Sequence, residues 1–579
     1  MSRIIQITLT NVGTSISQFL DLYCIDQYGV VTGPFESGVP LASLQAGYAT
    51  TIDDQCVGVR VQSFGNCIDY IDLNILLTTS TTTTSTTSTT TTSTTTTSTT
   101  TTTTATPLQQ MTINGIALTT ITFTELNSLT EDVVIDWGDG NTDIFLAGSS
   151  TPTHTYTTPY TGLITIKSVD LTSIDIFNLV TTVPASGNPI SIDTSELVKL
   201  DGLVTLYLGV HVYLNGLISQ LPSTLQYATI QPNNLSGHTS ELPVGLIELS
   251  IYGTTSIDGD VIDLPTGLTT CNIIGVNTID GLTSDLPSGL IHLQVEGNNT
   301  IHGDISLLPT GLITLSLLGS NYVNGDIAGI TSFTGLVYLL VAGSNGISGD
   351  IADLPPNLIN VQIDGLNTLL GNISDFPSSL TYIDIRGGNT IGGNTSGFVL
   401  TGVTVFMIIS AGTTISGDIA NLSGVSSQLA ITGTNAISGN IMDVAATLTY
   451  LDIEGNNIIA GLLLDLPSGL RTCIISGSNT LSGDINIDLP ASLTYIVLQS
   501  TSATYTYTHV SPRTWASNMR KITLVRSTPF TTTEVDNMLI DLATTSWSAG
   551  GIINLSGTRS SASDAARVIL IGLSVSVTP

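Results

Sequence analysis

The chain has 579 residues and sets 12 Lys and Arg against 44 Asp and Glu, a formal net charge of −32. That balance excludes a nucleic-acid partner, which requires a clustered basic face. Only 10% of residues are charged, and no run of about twenty apolar residues exists to cross a membrane as a helix. Abundant Thr, Ser, Gly and Asn give the composition of a β-rich extracellular protein rather than of a cytosolic enzyme. Five cysteines, at 24, 56, 67, 271 and 473, show no metal-ligand spacing. Cys56 and Cys67 are near enough to bridge, but free thiols are the expectation.

Residues 1–77 alternate short apolar runs (Ile5-x-Ile7-x-Leu9, Val57-x-Val59-x-Val61) with turn signals at Gly13, Gly29, Gly33-Pro34 and Gly65-Asn66. This predicts a small N-terminal β domain. Its first residues lack the continuous apolar region of a secretory signal and read as an opening strand. Residues 78–104 are only Thr and Ser. Such a tract has nothing to bury, so 78–106 is expected to be a disordered or extended linker.

Residues 107–182 contain Val133-Val134-Ile135-Asp136-Trp137-Gly138-Asp139-Gly140, then His154-Thr155-Tyr156 and Gly162-Leu163-Ile164-Thr165-Ile166. This segment resembles the polycystic-kidney-disease type of immunoglobulin-like module, which implies an Ig-like β-sandwich with Trp137 in its core. Asp136, Asp139 and His154 are the residues to check for metal, although turn chemistry explains them more simply.

From 183 to 498 one phrase returns about every 22 residues. A clear copy is Leu286-Pro287-Ser288-Gly289-Leu290-Ile291-His292-Leu293-Gln294-Val295-Glu296-Gly297, followed by Asn299-Thr300-Ile301-His302-Gly303-Asp304-Ile305. The pattern Leu-x-x-Leu-x-Ile ends in a short strand with alternate side chains inward. An asparagine follows each strand (277, 299, 321, 345, 367, 389, 435, 457 and 479), and its amide can donate to and accept from neighbouring coils. Cys271 and Cys473 occupy inward leucine positions and read as core. The repeat resembles the leucine-rich repeat family, with Asn-x-Ile-x-Gly-Asp-Ile similar to its plant-type variant; this implies a solenoid. The Asp column (260, 304, 326, 350, 418 and 484) raises the question of calcium. Calcium needs six or more oxygens per site, so solvated turn residues are the simpler reading.

Residues 499–579 change character: Thr531-Thr532-Thr533-Glu534 opens a predicted helix to Ala543, Ser561–Gly572 gives another, and Val575–Val577 a last strand. A solenoid must hide its final apolar layer, so this is a small α/β C-terminal cap.

The order of parts, with Phe35-Glu36-Ser37-Gly38 and Gly65-Asn66-Cys67-Ile68, resembles the fibre and appendage virion proteins of tailed bacteriophages of Bacteroidetes hosts. That resemblance implies attachment to other virion proteins through residues 1–77, a homo-oligomeric base, and adhesion to a host surface glycan or protein. The alternative is a bacterial cell-surface or secreted leucine-rich-repeat adhesin. A glycan depolymerase is the outsider: Glu248 and Glu296, two coils apart, are the nearest approach to an acid pair, and no catalytic, cofactor or metal residues are expected. On the outward strand face, Tyr338, Tyr382, Phe406, Tyr450 and Tyr495, with Asp384, Arg386 and Asp452 beside them, are the candidate glycan-binding residues. Aromatic rings suit sugar C–H faces and carboxylates suit hydroxyls. The competing explanation is that tyrosine simply favours exposed strands.

Overall fold

A computed structural model describes residues 2–7, 19–26, 31–40, 48–53, 56–63, 70–74, 107–182, 190–509, 513 and 515–578. The chain divides into two compact units, Met1–Thr103 and Thr104–Pro579. In the first, Ser2–Ile7 pairs antiparallel with Tyr48–Asp53. Val31–Pro40, Phe19–Asp26, Cys56–Ser63 and Tyr70–Asn74 lie side by side in that order in a second, antiparallel sheet. The expected Thr/Ser linker at 78–106 lies outside the described residues, as do Cys67 and any bridge it makes.

The second unit begins with the long strand Gln109–Ser128. One side of it pairs antiparallel with Thr153–Ser168 and Gly148–Ser150. Its other side pairs antiparallel with Ile174–Thr182 and Ile190–Asp193. Ile174–Thr182 in turn pairs in parallel with Thr205–Leu208, so the strand that ends the 107–182 segment is also the first strand of the solenoid. One apolar cluster runs unbroken from Met111 through the repeats to Val575. The 107–182 segment is therefore the lid on the first coil. Trp137 is fully buried in it, donates to Asp143 at 2.7 Å, and stacks on His154 at 4.9 Å. Asp139 is paired with His154 at 2.8 Å and Asp136 with Lys167 at 3.2 Å. Partners from within the chain thus occupy the three residues considered for metal.

Each repeat contributes two strand segments, which build two parallel stacks. The first stack runs through Thr205–Leu208, His292–Gly297, Asn360–Gly365, Tyr382–Arg386, Val405–Ile409 and Thr472–Gly477, the second through Val212–Leu217, Thr300–Asp304, Thr368–Asn372, Thr390–Asn394 and Thr414–Asp418. Longer strands such as Glu248–Asp260 and Tyr450–Leu462 serve both stacks. The return leg is a single 3-10 turn, for example Ile351–Asp353, followed by the Leu-Pro turn. There is no room for a long helix in so short a leg, and the Gly and Pro content would oppose one.

Three recurring devices close the coils. The asparagine after the strand is fully buried, and its Oδ1 accepts the backbone N–H of the preceding coil: Ile257 to Asn277 at 3.0 Å, Val323 to Asn345 at 2.9 Å, Ile437 to Asn457 at 2.9 Å. In five copies the amide nitrogen donates to a carbonyl of the following coil, at Glu296, Asp364, Arg386, Glu454 and Ser476. One asparagine thus ties three coils. The Asp column caps the short helical turns, 3-10 in every case but the α-helical Ile485–Asp488: Asp260, Asp304, Asp326, Asp350, Asp418 and Asp484 each accept the N–H two residues on, at 2.8–3.0 Å. This is helix-cap chemistry. Among the described residues no group of three or more His, Cys, Asp or Glu has the arrangement to hold a metal. The third device is glycine. At Gly349 φ is +108°, and a Cβ would lie 2.2 Å from the Asp326 carboxylate of the preceding coil, so both backbone and space require glycine.

The first stack continues into the C-terminal cap through Met519–Arg526, Trp547–Leu555 and Ser576–Thr578. The helix Thr532–Leu542 begins with the expected capping box, Thr531 exchanging hydrogen bonds with Glu534, and buries Val535, Met538, Leu539 and Leu542. Ahead of it, the nearly fully buried Arg513 donates to the carbonyls of Ile485, Asn486, Leu489 and Pro490 at 2.8–3.2 Å.

Asn277→Ala strands the Ile257 N–H and the Glu296 carbonyl in the interior, and should lower stability by about 2–4 kcal/mol, read as a fall in the urea midpoint. Arg513→Met removes the guanidinium donor from four carbonyls, of which Pro490 keeps the Leu493 N–H. It should loosen the C-terminal cap selectively, with amide exchange accelerating in Met519–Arg526 while strands before Thr300 keep their protection.

Candidate functional site

The outer face of the first stack is set by strand alternation. Inward residues such as Leu451 and Ile453 belong to the solenoid core, so Tyr450, Asp452 and Glu454 face out. Backbone register aligns one outward column across eight strands as Tyr338, Asn360, Tyr382, Val405, Gln428, Tyr450, Thr472 and Tyr495. The next column reads Leu340, Gln362, Asp384, Met407, Ala430, Asp452, Ile474 and Val497 across the same strands.

Four of the five expected aromatics stand in the column. Phe406 does not. It pairs in register with Ile383 and Leu429, is fully buried, and packs edge-on to Phe398 at 4.9 Å. Val403 fills the first inward position of this longer unit, which moves Val405 into the outward column. Because Val405-Phe406-Met407-Ile408-Ile409 is apolar at every position, alternation alone could not set its register.

That shift creates a feature that the repeat pattern does not announce. Val405, Met407 and Ala430 form a small buried cluster on the outer face, separate from the solenoid core, with Tyr382, Ile409 and Tyr450 packed against it. The two tyrosines are three strands apart, about 14 Å at the usual strand spacing. They flank an apolar floor and do not stand clear of the protein as expected. The unbroken apolar run at 405–409 is the available signal, since both faces of a strand with such a run must find cover.

Polar groups border the floor. Arg386 clamps Asp384 in a two-pronged ion pair, Nε to Oδ1 at 2.8 Å and Nη2 to Oδ2 at 2.9 Å. Across the floor Asp452 is only 6% exposed. Its Oδ2 accepts the Tyr450 hydroxyl at 3.3 Å, while Oδ1 is buried with no partner. Burial, reinforced by neighbouring Glu454, pushes the Asp452 carboxyl up to about 7. Burial and Asp452 push the Tyr450 hydroxyl up to about 12. The carbonyls of Asp364, Arg386 and Glu454 are the ones held by Asn345, Asn367 and Asn435, so the ladder fixes the backbone from which these side chains project.

Tyr338, at 44% exposure, is separated from Tyr382 by Asn360. Tyr495 lies beyond Thr472, and Lys521 sits over its ring at 5.2 Å and donates to its hydroxyl at 3.2 Å. These two flank the platform without joining it. Next to Glu454 in the chain, a groove of about 520 Å³ opens, lined by Gly455, Asn456, Ser476, Gln499, Val525 and Arg526. Glu296 accepts from Gln294 at 2.8 Å, and Glu248 lies elsewhere on the face.

No protein-family model matches the sequence, and no curated protein matches it. Twenty-six solved chains resemble the structure. A plant peptide hormone receptor, RGFR1, in complex with RGF2, shares 16% identity over 66% of this chain and 68% of its own, with a TM-score of 0.43. A plant ice-binding protein shares 16% identity over 58% of this chain and 85% of its own, with a TM-score of 0.20. CroV588, a circular leucine-rich-repeat protein, shares 15% identity over 58% and 67%, with a TM-score of 0.19. The chain has a leucine-rich-repeat-like solenoid fold. Its strand stacks, buried asparagines and turn caps carry that statement.

The raised Asp452 carboxyl has a signed effect on stability. The folded state holds this proton more tightly than the unfolded chain, so stability falls as pH rises from about 4 to about 7 and stays lower above that. Asp452→Asn should therefore match the parent near pH 4 and exceed it at pH 8 by up to about 4 kcal/mol. Urea midpoints at the two pH values check this, and an unchanged pH slope in the variant would assign the slope to another group.

Proposed function

We propose that the chain is a surface adhesin whose repeat sheet binds a glycan through the platform between Tyr382 and Tyr450, with recognition rather than catalysis as its role. The observation that carries this is the pairing of two tyrosines across an apolar floor, bordered by Asp384, Arg386 and Asp452. A sugar ring presents C–H faces to aromatic and apolar surface and hydroxyls to carboxylates at its edge. The low-charge, Thr- and Ser-rich composition supports an extracellular setting, and among the described residues no helix is long and apolar enough to cross a membrane. Affinity at one platform is modest, and several copies on one particle or cell multiply it through effective concentration.

The order of parts in the sequence favours a second reading of where the adhesin is carried. A short β domain ahead of a Thr/Ser tract suits a virion appendage that docks through residues 1–77 to other virion proteins as a homo-oligomeric base. If so, a chain lacking residues 1–77 will fold its repeats yet fail to enter particles. On a cellular adhesin the same deletion leaves glycan binding by the repeats unchanged and has no particle to affect.

The binding reading is tested with the doubly substituted Tyr382→Ala, Tyr450→Ala chain. Removing two stacked rings should cost roughly 1–3 kcal/mol of binding, about five- to 150-fold, on a glycan array or purified surface polysaccharide. Because both rings cover Met407 and Ala430, the variant should also lose about 1–2 kcal/mol of stability while keeping its β spectrum. Undiminished binding by a folded variant would leave the tyrosines as strand formers only.

A further inference from the structure

The unpaired Asp452 oxygen narrows the class of ligand that a glycan-binding adhesin would take at this platform. We infer that the glycan bound there carries positive charge, as a polysaccharide with free amino groups does; the inference rests on the adhesin reading. The outer face from Asn360–Gly365 to Thr472–Gly477 presents Asp364, Asp384, Asp452 and Glu454 against one guanidinium, Arg386. Arg386 is committed to Asp384 by its two-pronged contact. Asp364 also feels Arg386 from the neighbouring strand, while Asp452 and Glu454 have no ion-pair partner among the described residues.

Asp452 is unlike the other acids of this face. It is over nine-tenths buried, yet Oδ1 has no donor. On its own strand it is flanked by Tyr450, already bonded to Oδ2, and by Glu454, which adds like charge. In register with it are Ala430 on one side and Ile474 on the other, neither of which can donate. The outward residues around those two, Gln428, Thr432, Thr472 and Ser476, bring no charge. No donor from the described residues reaches Oδ1, so the carboxyl either keeps its own proton or takes a donor that a ligand brings. A sugar hydroxyl supplies a hydrogen bond but leaves the buried charge uncompensated, whereas an ammonium supplies both. The Tyr382 and Tyr450 faces also attract an ammonium. A uronic-acid polymer would meet like charge at this face and on a chain of net charge −32.

The full chain is titrated with three probes at pH 7: a glucosamine oligomer with free amines, the same oligomer fully N-acetylated, and a uronic-acid oligomer. Binding of the free-amine form should be about tenfold tighter than that of the acetylated form, the uronic form should not bind, and Asp452→Asn should erase the difference. Glu248→Gln, which removes at least as much negative charge from an exposed residue far along the same face, should leave the preference intact. Equal affinity for amine and acetylated forms overturns the inference but leaves the adhesin reading standing. Loss of preference in Glu248→Gln as large as in Asp452→Asn also overturns it, because bulk charge would then be the cause. No binding to any of the three, or to a broad glycan array, overturns the adhesin reading itself.

Discussion

A buried asparagine that accepts an N–H of the preceding coil, and in five copies donates to the following one, is the interaction on which the repeat body depends. A single repeat is too thin to bury its own apolar side, so it must be stacked, and stacking leaves backbone groups at each bend that no strand ladder can satisfy. Asparagine meets both needs with one short neutral side chain. Aspartate in its place would bring a buried charge without a donor, and leucine would leave the N–H of the preceding coil unpaired. The glycine at the end of most first-stack strands completes the fit. A Cβ at Gly365 would lie 2.7 Å from the Asn345 backbone nitrogen, so the coils pack as close as the asparagine requires.

The same ladder decides how well the outer face can bind. Side chains on a sheet whose backbone carbonyls are pinned from below have little freedom to lose when a ligand arrives. Asp364, Arg386 and Glu454 have their carbonyls held in this way. The Asp384–Arg386 clamp and the tyrosine cover over Met407 remove further motion. A loop-borne site would have to order itself at each encounter, whereas this one is largely formed beforehand.

Much of this is legible in the sequence because it repeats. The asparagines, the Gly-Asp pair, the strand parity and the capping box at Thr531 each carry a local physical reason that recurs or stands alone. What is not legible depends on neighbours a full coil away. Repeat counting puts Phe406 outward, and fails there because its unit is longer and its apolar run has no parity. Strand parity puts Asp452 outward correctly, but its depth depends on Ala430 and Ile474, each 22 residues distant. The Asp column is open to turn or cation chemistry until the 3-10 turns show its carboxylates accepting backbone N–H groups. The 107–182 segment carries the residues of a self-contained module, yet its last strand begins the solenoid stack, a pairing visible only in three dimensions.

A stack of parallel strands has two open ends, and the protein closes them by different means. At the first coil the strand Gln109–Ser128 runs antiparallel to both stacks and turns between them at Ala117, where φ is +52°. Hydrogen bonding continues across the end, so the lid is an extension of the sheet. At the far end the last strand of the second stack is Thr480–Ser482, Thr504 and Thr506 add single backbone bonds to Leu481 and Gly483 beyond it, and the return leg that follows offers its carbonyls to the cap. Arg513 takes up four of these from one planar group that holds its charge in the interior without a carboxylate partner. Four carbonyl dipoles supply the compensation a buried cation needs. The apolar layer beyond is then covered by Val535, Met538, Leu539 and Leu542 from one helix. With both ends sealed and the coils bound edge to edge, the side chains left to meet another molecule are those of the outer faces. Of these, the Tyr382–Tyr450 platform combines an apolar floor with a buried carboxyl oxygen that still lacks a donor.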